Sequence, residues 1–163
     1  MGLLILAGYM LVSGILTVPW VRTRKKISMA MMSLAKIKHG DRILDLGSGD
    51  GSLVLDAVEK GAIGVGIERI TWLVWLSRLR ARFSKKQGKA SFRKGNIFKE
   101  ELPDADVVFT YLFTEVNERL TPILLKRYPS KTRVVSRDFT FKRLKKIEEK
   151  TVGSTTLYLY EIP

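Results

Sequence analysis

The sequence contains no cysteine and a single histidine, His39. The first absence removes disulfides, thiolate metal sites and cysteine nucleophiles. The second argues against a histidine-rich metal site and a serine–histidine triad, and no metal is expected. His39 precedes Gly40 and Asp41 in what reads as a surface turn. Acidic residues are also scarce, with 16 Asp and Glu against 29 Lys and Arg, a formal net charge of +13. That excess favours anionic partners, whether nucleic acid, an acidic protein or the anionic face of a membrane, without choosing among them. The length, 163 residues, is enough for one domain with a real core and too short for two. Internal repeats and low-complexity tracts are absent.

Ionisable side chains are missing altogether from MGLLILAGYMLVSGILTVPW, residues 1–20, and RTRKK follows at once. About 20 apolar residues span a bilayer as a helix. A cleaved signal peptide would begin with a positive region, and this run does not. Its cations, Arg22, Arg24, Lys25 and Lys26, lie on the far side, which places the body of the protein in the cytoplasm by the positive-inside rule. The expectation is a single-pass membrane protein with residues 1–18 as the anchor. A buried or interfacial helix is the other reading, because Gly2, Gly8, Ser13 and Gly14 dilute the hydrophobicity.

Downstream, residues 19–38 read as a pre-core segment with an amphipathic helix covering the main domain's first strand–turn–helix, and residues 39–163 as the main domain. Ile27, Ala30, Met31 and Leu34 recur at helical spacing. RILDL then reads as a buried strand, Ser52 to Lys60 as a helix closed by Gly61, and AIGVGIE as a second strand. A long helix, ITWLVWLSRLRARFSKKQG, carries cations toward its end, where they suit the macrodipole. KASFRKGNIF and DADVVFTYLF give further strands, a helix runs from Glu115 to Tyr128, and TRVVSRDF is a fifth strand. The tail reads as two strands turning at Gly153. Alternation of this kind predicts an α/β fold: one Rossmann-like, doubly wound, mostly parallel sheet with an antiparallel C-terminal edge strand.

The first strand–turn–helix carries Gly47, Gly49 and Gly51. In open parallel sheets this is where ligands bind. The G-x-G-x-G spacing is not the dinucleotide G-x-G-x-x-G, and no G-K-[ST] follows as in a P-loop. Asp45 ends the strand and Asp50 lies in the turn, with no cation between them. Two carboxylates repel a pyrophosphate and welcome an ammonium. S-adenosylmethionine is such a ligand: an amino acid, a sulfonium and an adenosine without phosphate. Asp45 can take its ammonium while N–H groups of the Gly47–Ser48–Gly49–Asp50–Gly51 turn meet its carboxylate. Glu68, ending the second strand, can take the ribose hydroxyls. After the third strand, Asn96 can read the adenine edge and Ile97 can pack on its ring. The plain alternative makes all of these ordinary turn residues and caps.

These residues resemble a class I, seven-stranded, S-adenosylmethionine-dependent methyltransferase. More narrowly, the chain is similar to the small prokaryotic protein-lysine methyltransferases and their mitochondrial relatives that modify the adenine nucleotide translocase and the c subunit of ATP synthase. The resemblance covers nearly the whole chain. It runs from Pro19-Trp20-Val21 and Thr23 through DLGSGDG, GVGIE, WLVWLSRLRA and KGN to TYLFTEVNERL, TRVVSRDF and LYLYEI. It implies that Trp20 and Thr23 also border the cofactor. Arg22 stands where the family's VPT run has proline, and Ser52 where relatives commonly carry Arg. The helix after the fifth strand is missing or very short.

Methyl transfer from sulfonium to amine is an in-line displacement, so positioning and desolvation dominate. The resemblance implies a neutral lysine amine as acceptor, met by groups past the fourth and fifth strands. Tyr111 is a candidate wall of a lysine channel, or core packing. Asp138 is the preferred amine-orienting carboxylate, or one half of a salt bridge to a neighbouring arginine. Leu112, Thr114 and Asn117 are candidate substrate-binding residues, although Glu115 and Asn117 also suit a helix start. Ser136 and Arg137 lie nearby. Trp72 and Trp75, three apart, read first as core packing and second as a bilayer or anchor contact.

The leading expectation is a membrane-tethered protein-lysine N-methyltransferase acting on protein substrates. RNA or a membrane small molecule such as a quinone or lipid is the alternative acceptor. Against nucleic acid, no N-P-P-[FY] run follows the fourth strand, the pattern of base-amine methylation. A cofactor-binding module without activity ranks last, because the cofactor motif is intact. Deleting Met1–Val18 is expected to move the protein from the membrane pellet to the soluble fraction with S-adenosylmethionine binding intact; fractionation and calorimetry check this, and continued pelleting would refute the anchor.

Overall fold

A computed structural model describes residues 22–84, 86 and 88–163. The run expected to anchor the chain and the candidate Trp20 lie outside the described residues. Among those described, no helix is long and apolar enough to cross a membrane. Helix α1 (Lys25–Leu34) leads into strand β1 (Arg42–Leu46), helix α2 (Ser52–Glu59), strand β2 (Ile63–Glu68), helix α3 (Thr71–Phe83) and strand β3 (Ala90–Lys94). Strand β4 (Val107–Thr110), helix α4 (Thr114–Arg127) and strands β5 (Arg133–Arg137), β6 (Lys145–Val152) and β7 (Thr155–Glu161) complete it. The elements read from periodicity are all present, and the chain between β5 and β6 forms no helix.

The seven strands form one sheet in the order β3-β2-β1-β4-β5-β7-β6. Strands β1 to β5 pair in parallel, and order reverses between β1 and β4, the switch point at which ligands bind such sheets. One part of the expectation needs correction: the C-terminal strand is not the edge. Strand β7 is inserted antiparallel between β5 and β6, leaving β6 outermost. Side-chain chemistry explains the swap. In β7, Leu157, Leu159 and Tyr160 are buried, whereas KKIEEKTV in β6 is exposed along most of its length. A charged strand tolerates solvent and discourages edge pairing with another chain.

Alternation along each strand divides the core. Ile43, Phe92, Val107 and Phe109 pack with α1, α2 and α3 on one face. Leu44, Leu46, Val108 and Val134 pack with Leu120 and Leu124 of α4 on the other. Asp45, between Leu44 and Leu46, therefore belongs to the face that carries α1 and α2. Helix α1 is fastened through polar ends: Ser28 donates to Asp56 at 2.6 Å, and Lys25 reaches Asp56 and Glu59 of α2 at 2.7 and 2.6 Å. At its other end Arg133 of β5 donates to the carbonyls of Ala35 and Lys36 and pairs with Asp41 at 2.8 Å.

Helix α3 lies against the glycine turn. Gly51 has φ +75°, and a Cβ there would stand 2.6 Å from the Phe92 ring and 2.8 Å from Ser77 Cβ. This glycine makes room for α3 and β3, not for a ligand. The inward residues of the helix are modest in size (Leu73, Val74, Ser77 and Ala81), while Trp72 and Trp75 point outward, 57% and 68% exposed. The reading of both tryptophans as core is thus overturned: Leu73, Val74, Ser77 and Ala81 occupy the inner face in their place. Gly51→Ala is expected to cost at least about 2 kcal/mol through left-handed strain and overpacking. Urea unfolding measures this, and an unchanged midpoint would contradict the packing role.

Candidate active site

The cleft opens at the carboxyl ends of β1 and β4 and is walled by the glycine turn, Thr23, Met31 of α1, Asp45, Ser52, Leu53, Thr110 and Tyr111. Asp45 is 8% exposed, and no hydrogen bond or ion pair among the described residues satisfies its carboxylate. Burial, then repulsion from Glu68 and Asp50, pushes its pKa up to about 7. Beside it, the buried hydroxyls of Ser48 and Thr110 also lack a protein partner among the described residues. Buried polar groups are ordinarily paired. A buried carboxylate without a partner in the wall of a cleft calls for a polar, cationic ligand.

The turn itself is already internally bonded. The N–H groups of Gly47 and Ser48 donate to the Ile67 carbonyl at 2.9 and 3.2 Å, and that of Gly51 to the Ser48 carbonyl at 2.9 Å. The Gly49 N–H donates to Glu68 Oε2 at 3.0 Å. These four N–H groups of the turn expected to meet the ligand carboxylate thus also hold the turn's shape. A neighbouring glycine, Gly66 of β2, lets the turn lie down, since a Cβ there would sit 2.5 Å from Ser48 Oγ.

Asp50 is a junction. Its carboxylate accepts from Ser52 N and Oγ at 3.2 and 2.6 Å and from Arg80 of α3, and pairs with Arg22 at 3.3 Å. Arg22 also donates to Ser52 Oγ at 3.2 Å. The two departures from the family pattern thus touch each other: a guanidinium arrives from position 22 over a serine small enough to admit it. Asp50 lines the cleft, but its charge is spent on protein cations.

Glu68 is buried, with Oε1 accepting from Ile70 N at 2.8 Å and Oε2 from Gly49 N. Each carboxylate oxygen retains a second acceptor site for a hydroxyl. Asn96 is half-buried and its Oδ1 caps the turn by accepting from Phe98 N at 3.1 Å, the turn-residue alternative. Ile97 packs half-buried against the α4-side core.

Comparison with known proteins decides the family. The ANTKMT methyltransferase domain matches residues 45–148. A protein-lysine N-methyltransferase of Saccharolobus islandicus is 37% identical over 158 residues, covering 89% of this chain and 94% of that protein. The chain belongs to this methyltransferase family. The human lysine N-methyltransferase for the c subunit of ATP synthase is 27% identical over 88% of this chain, which spans 61% of the human protein. Among solved structures, an RNA methyltransferase from Salinibacter ruber in complex with S-adenosyl-L-homocysteine is 37% identical, with a TM-score of 0.85 over 88% of this chain and 94% of that one.

S-adenosylmethionine is the cofactor of this methyltransferase, and the unpartnered Asp45 carboxylate in the cleft wall fits its ammonium. Beyond β4 and β5 lies an aromatic cluster of which Tyr111 lines the cleft. Arg137 stacks its guanidinium 4.1 Å over the Tyr111 ring, Tyr111 and Phe113 pack on Phe139 at 5.8 and 5.0 Å, and Arg137 reaches Thr23 Oγ1 at 3.5 Å.

Asp138, the expected amine-orienting carboxylate, is engaged elsewhere. Its Oδ1 accepts from Thr156 N at 2.9 Å, its Oδ2 from Arg137 Nε at 3.2 Å, and its backbone sits at φ +59°, tolerated by Asp. It pins β7 and positions Arg137, the salt-bridge alternative. Asn117 is fully buried, donating to Ser136 Oγ at 3.3 Å and to the Phe139 and Thr140 carbonyls at 3.4 Å; it ties α4 to the loop after β5 instead of facing a substrate. Leu112 packs beside Gly47 of the cleft wall, and Thr114 opens α4.

Sequence reasoning missed Thr110, Met31 and Leu53. Thr110 ends β4 immediately before Tyr111, so a strand-end rule finds it; Met31 and Leu53 look like ordinary core. Because an ammonium needs Asp45 ionised, affinity for S-adenosylmethionine is expected to rise with pH and level off above about 7. Below that pH it falls by up to about tenfold per pH unit, as each binding event releases a proton. In the cofactor-free protein the sign is opposite: the raised carboxylate pKa makes stability fall as pH rises through about 7. Calorimetry in buffers of different ionisation enthalpy tests this, and Asp45→Asn should flatten the affinity profile.

Proposed function

We propose that this enzyme methylates the ε-amine of lysine in protein substrates, tethered to a membrane by its N-terminal run. The similarity to the archaeal protein-lysine N-methyltransferase along nearly both whole chains carries this reading. Bound S-adenosylmethionine supplies an electrophilic methyl group, and the protein's part is positioning. Asp45 holds the ammonium of the amino-acid end. Tyr111, which lines the cleft and is backed by Phe139, offers an apolar surface suited to a lysine stem.

The acceptor reacts as the free amine and its proton leaves to water. Asp138, committed to Thr156 and Arg137, is not assigned as its base. Anchoring is supported by the uncharged residues 1–20 and the cations that follow.

RNA is the second reading, favoured by the positive charge and by the 37% identity to a protein described as an RNA methyltransferase. Native membranes, cytosol and total RNA incubated with the protein and methyl-labelled S-adenosylmethionine separate the two. Label is expected in protein and should hydrolyse to methyl-lysine; label confined to RNA or lipid would replace the acceptor while leaving the cofactor site standing.

A further inference from the structure

Helix α3 is apolar on its outer face as well as its inner one. A surface helix ordinarily turns its large apolar residues inward and its polar ones outward. Here Leu73, Val74, Ser77 and Ala81 face the sheet, and the outer face carries Trp75, Leu79 and Phe83, 68%, 51% and 78% exposed. Their spacing, i, i+4 and i+8, puts them in one stripe. Trp72, 57% exposed, extends it. By the same spacing Arg78 and Arg82 follow one margin, the Arg78 guanidinium also donating to the Phe92 carbonyl at 3.0 and 2.9 Å. Contiguous apolar surface of this kind marks a contact site.

Two observations identify what covers it. The uncharged run of residues 1–20 ends next to Arg22, and Arg22 pairs with Asp50, which Arg80 of α3 also holds. Arg22, the first described residue, thus meets the same carboxylate as Arg80 of this helix. The chemistry of the stripe, indole and aliphatic groups with arginines at the margin, in a protein of net charge +13, is that of an interfacial helix on an anionic bilayer. We propose that the outer face of α3 is a membrane-contacting surface that seats the domain flat on an anionic bilayer. This deepens the anchoring part of the proposed function and is independent of the acceptor. The segment supplies a tether, and α3 supplies an orientation.

The absence of cysteine makes the test direct. Full-length Leu79→Cys, Phe83→Cys and, on exposed β6, Lys150→Cys proteins are each labelled with an environment-sensitive fluorophore. Retained S-adenosylmethionine binding shows that each is folded. They are mixed with phosphatidylcholine–phosphatidylglycerol vesicles carrying a lipid-attached quencher, and flotation reports binding. Labels at 79 and 83 are expected to shift to the blue and lose fluorescence on vesicle addition, while the label at 150 does neither. Flotation without any change at 79 and 83 would overturn the α3 contact and leave the tether intact. Failure to float would overturn both. Blue-shifted emission at 79 before lipid is added would also overturn the proposal, pointing to a second copy where it depends on concentration and to the chain's own N-terminal run where it does not.

Discussion

The arrangement around the cofactor turn depends on one buried carboxylate, Asp50. Its oxygens hold the first turn of α2 through Ser52, the side of α3 through Arg80 and the incoming chain through Arg22. The Arg22 pair is mostly exposed and contributes little stability by itself. Its value is geometric: it fixes where the pre-core segment crosses the turn, and hence where Thr23 and Met31 close the cleft. Removing Asp50 would leave Arg80 and Arg22 facing each other across a serine. A proline at position 22 would stiffen this crossing through its own ring; an arginine does so through a partner.

Asp45 has the opposite character. It ends β1 just before the same turn, about equally buried, and is given no partner among the described residues. The contrast divides the work between the two acids of DLGSGDG: one assembles the turn, and the other is kept for a ligand. The elevated Asp45 pKa is the physical record of that uncompensated charge, since burial and neighbouring carboxylates both favour the protonated form. A local cost of this sort is kept at functional sites because the ligand relieves it.

Much of this was legible from the chain. Hydrophobic alternation and glycine punctuation gave every described helix and strand, and the placement of Asp45 at a strand end located the cleft. What the sequence hid was pairing across long separations. Nothing in it links Asp50 to Arg80, Asp138 to Thr156 or Asn117 to Ser136, so residues with site-like chemistry were read as site residues when tertiary contacts had already claimed them. The order of the last two strands was hidden for a related reason. Which hairpin arm lies inside depends on the faces available beside β5, and only the burial of Tyr160 and Leu157 against charged β6 decides it. Trp72 and Trp75 were misread because helical spacing reports that residues share a face, not which face.

That last ambiguity bears on function. Ser77 Cβ would be 2.8 Å from a side chain at Gly51, so α3 rests directly on the cofactor turn. A helix is about 10 Å across with its side chains. With the outer stripe of α3 on a bilayer, the turn stands roughly one helix diameter above the lipid surface. Lysines held near the membrane would then reach the Tyr111 wall without the enzyme leaving it, whereas a flexible tether alone would let the cleft point anywhere. A fixed orientation replaces a search in three dimensions by one across a surface, and selects substrates by the height of their lysine above the lipid as much as by the residues around it.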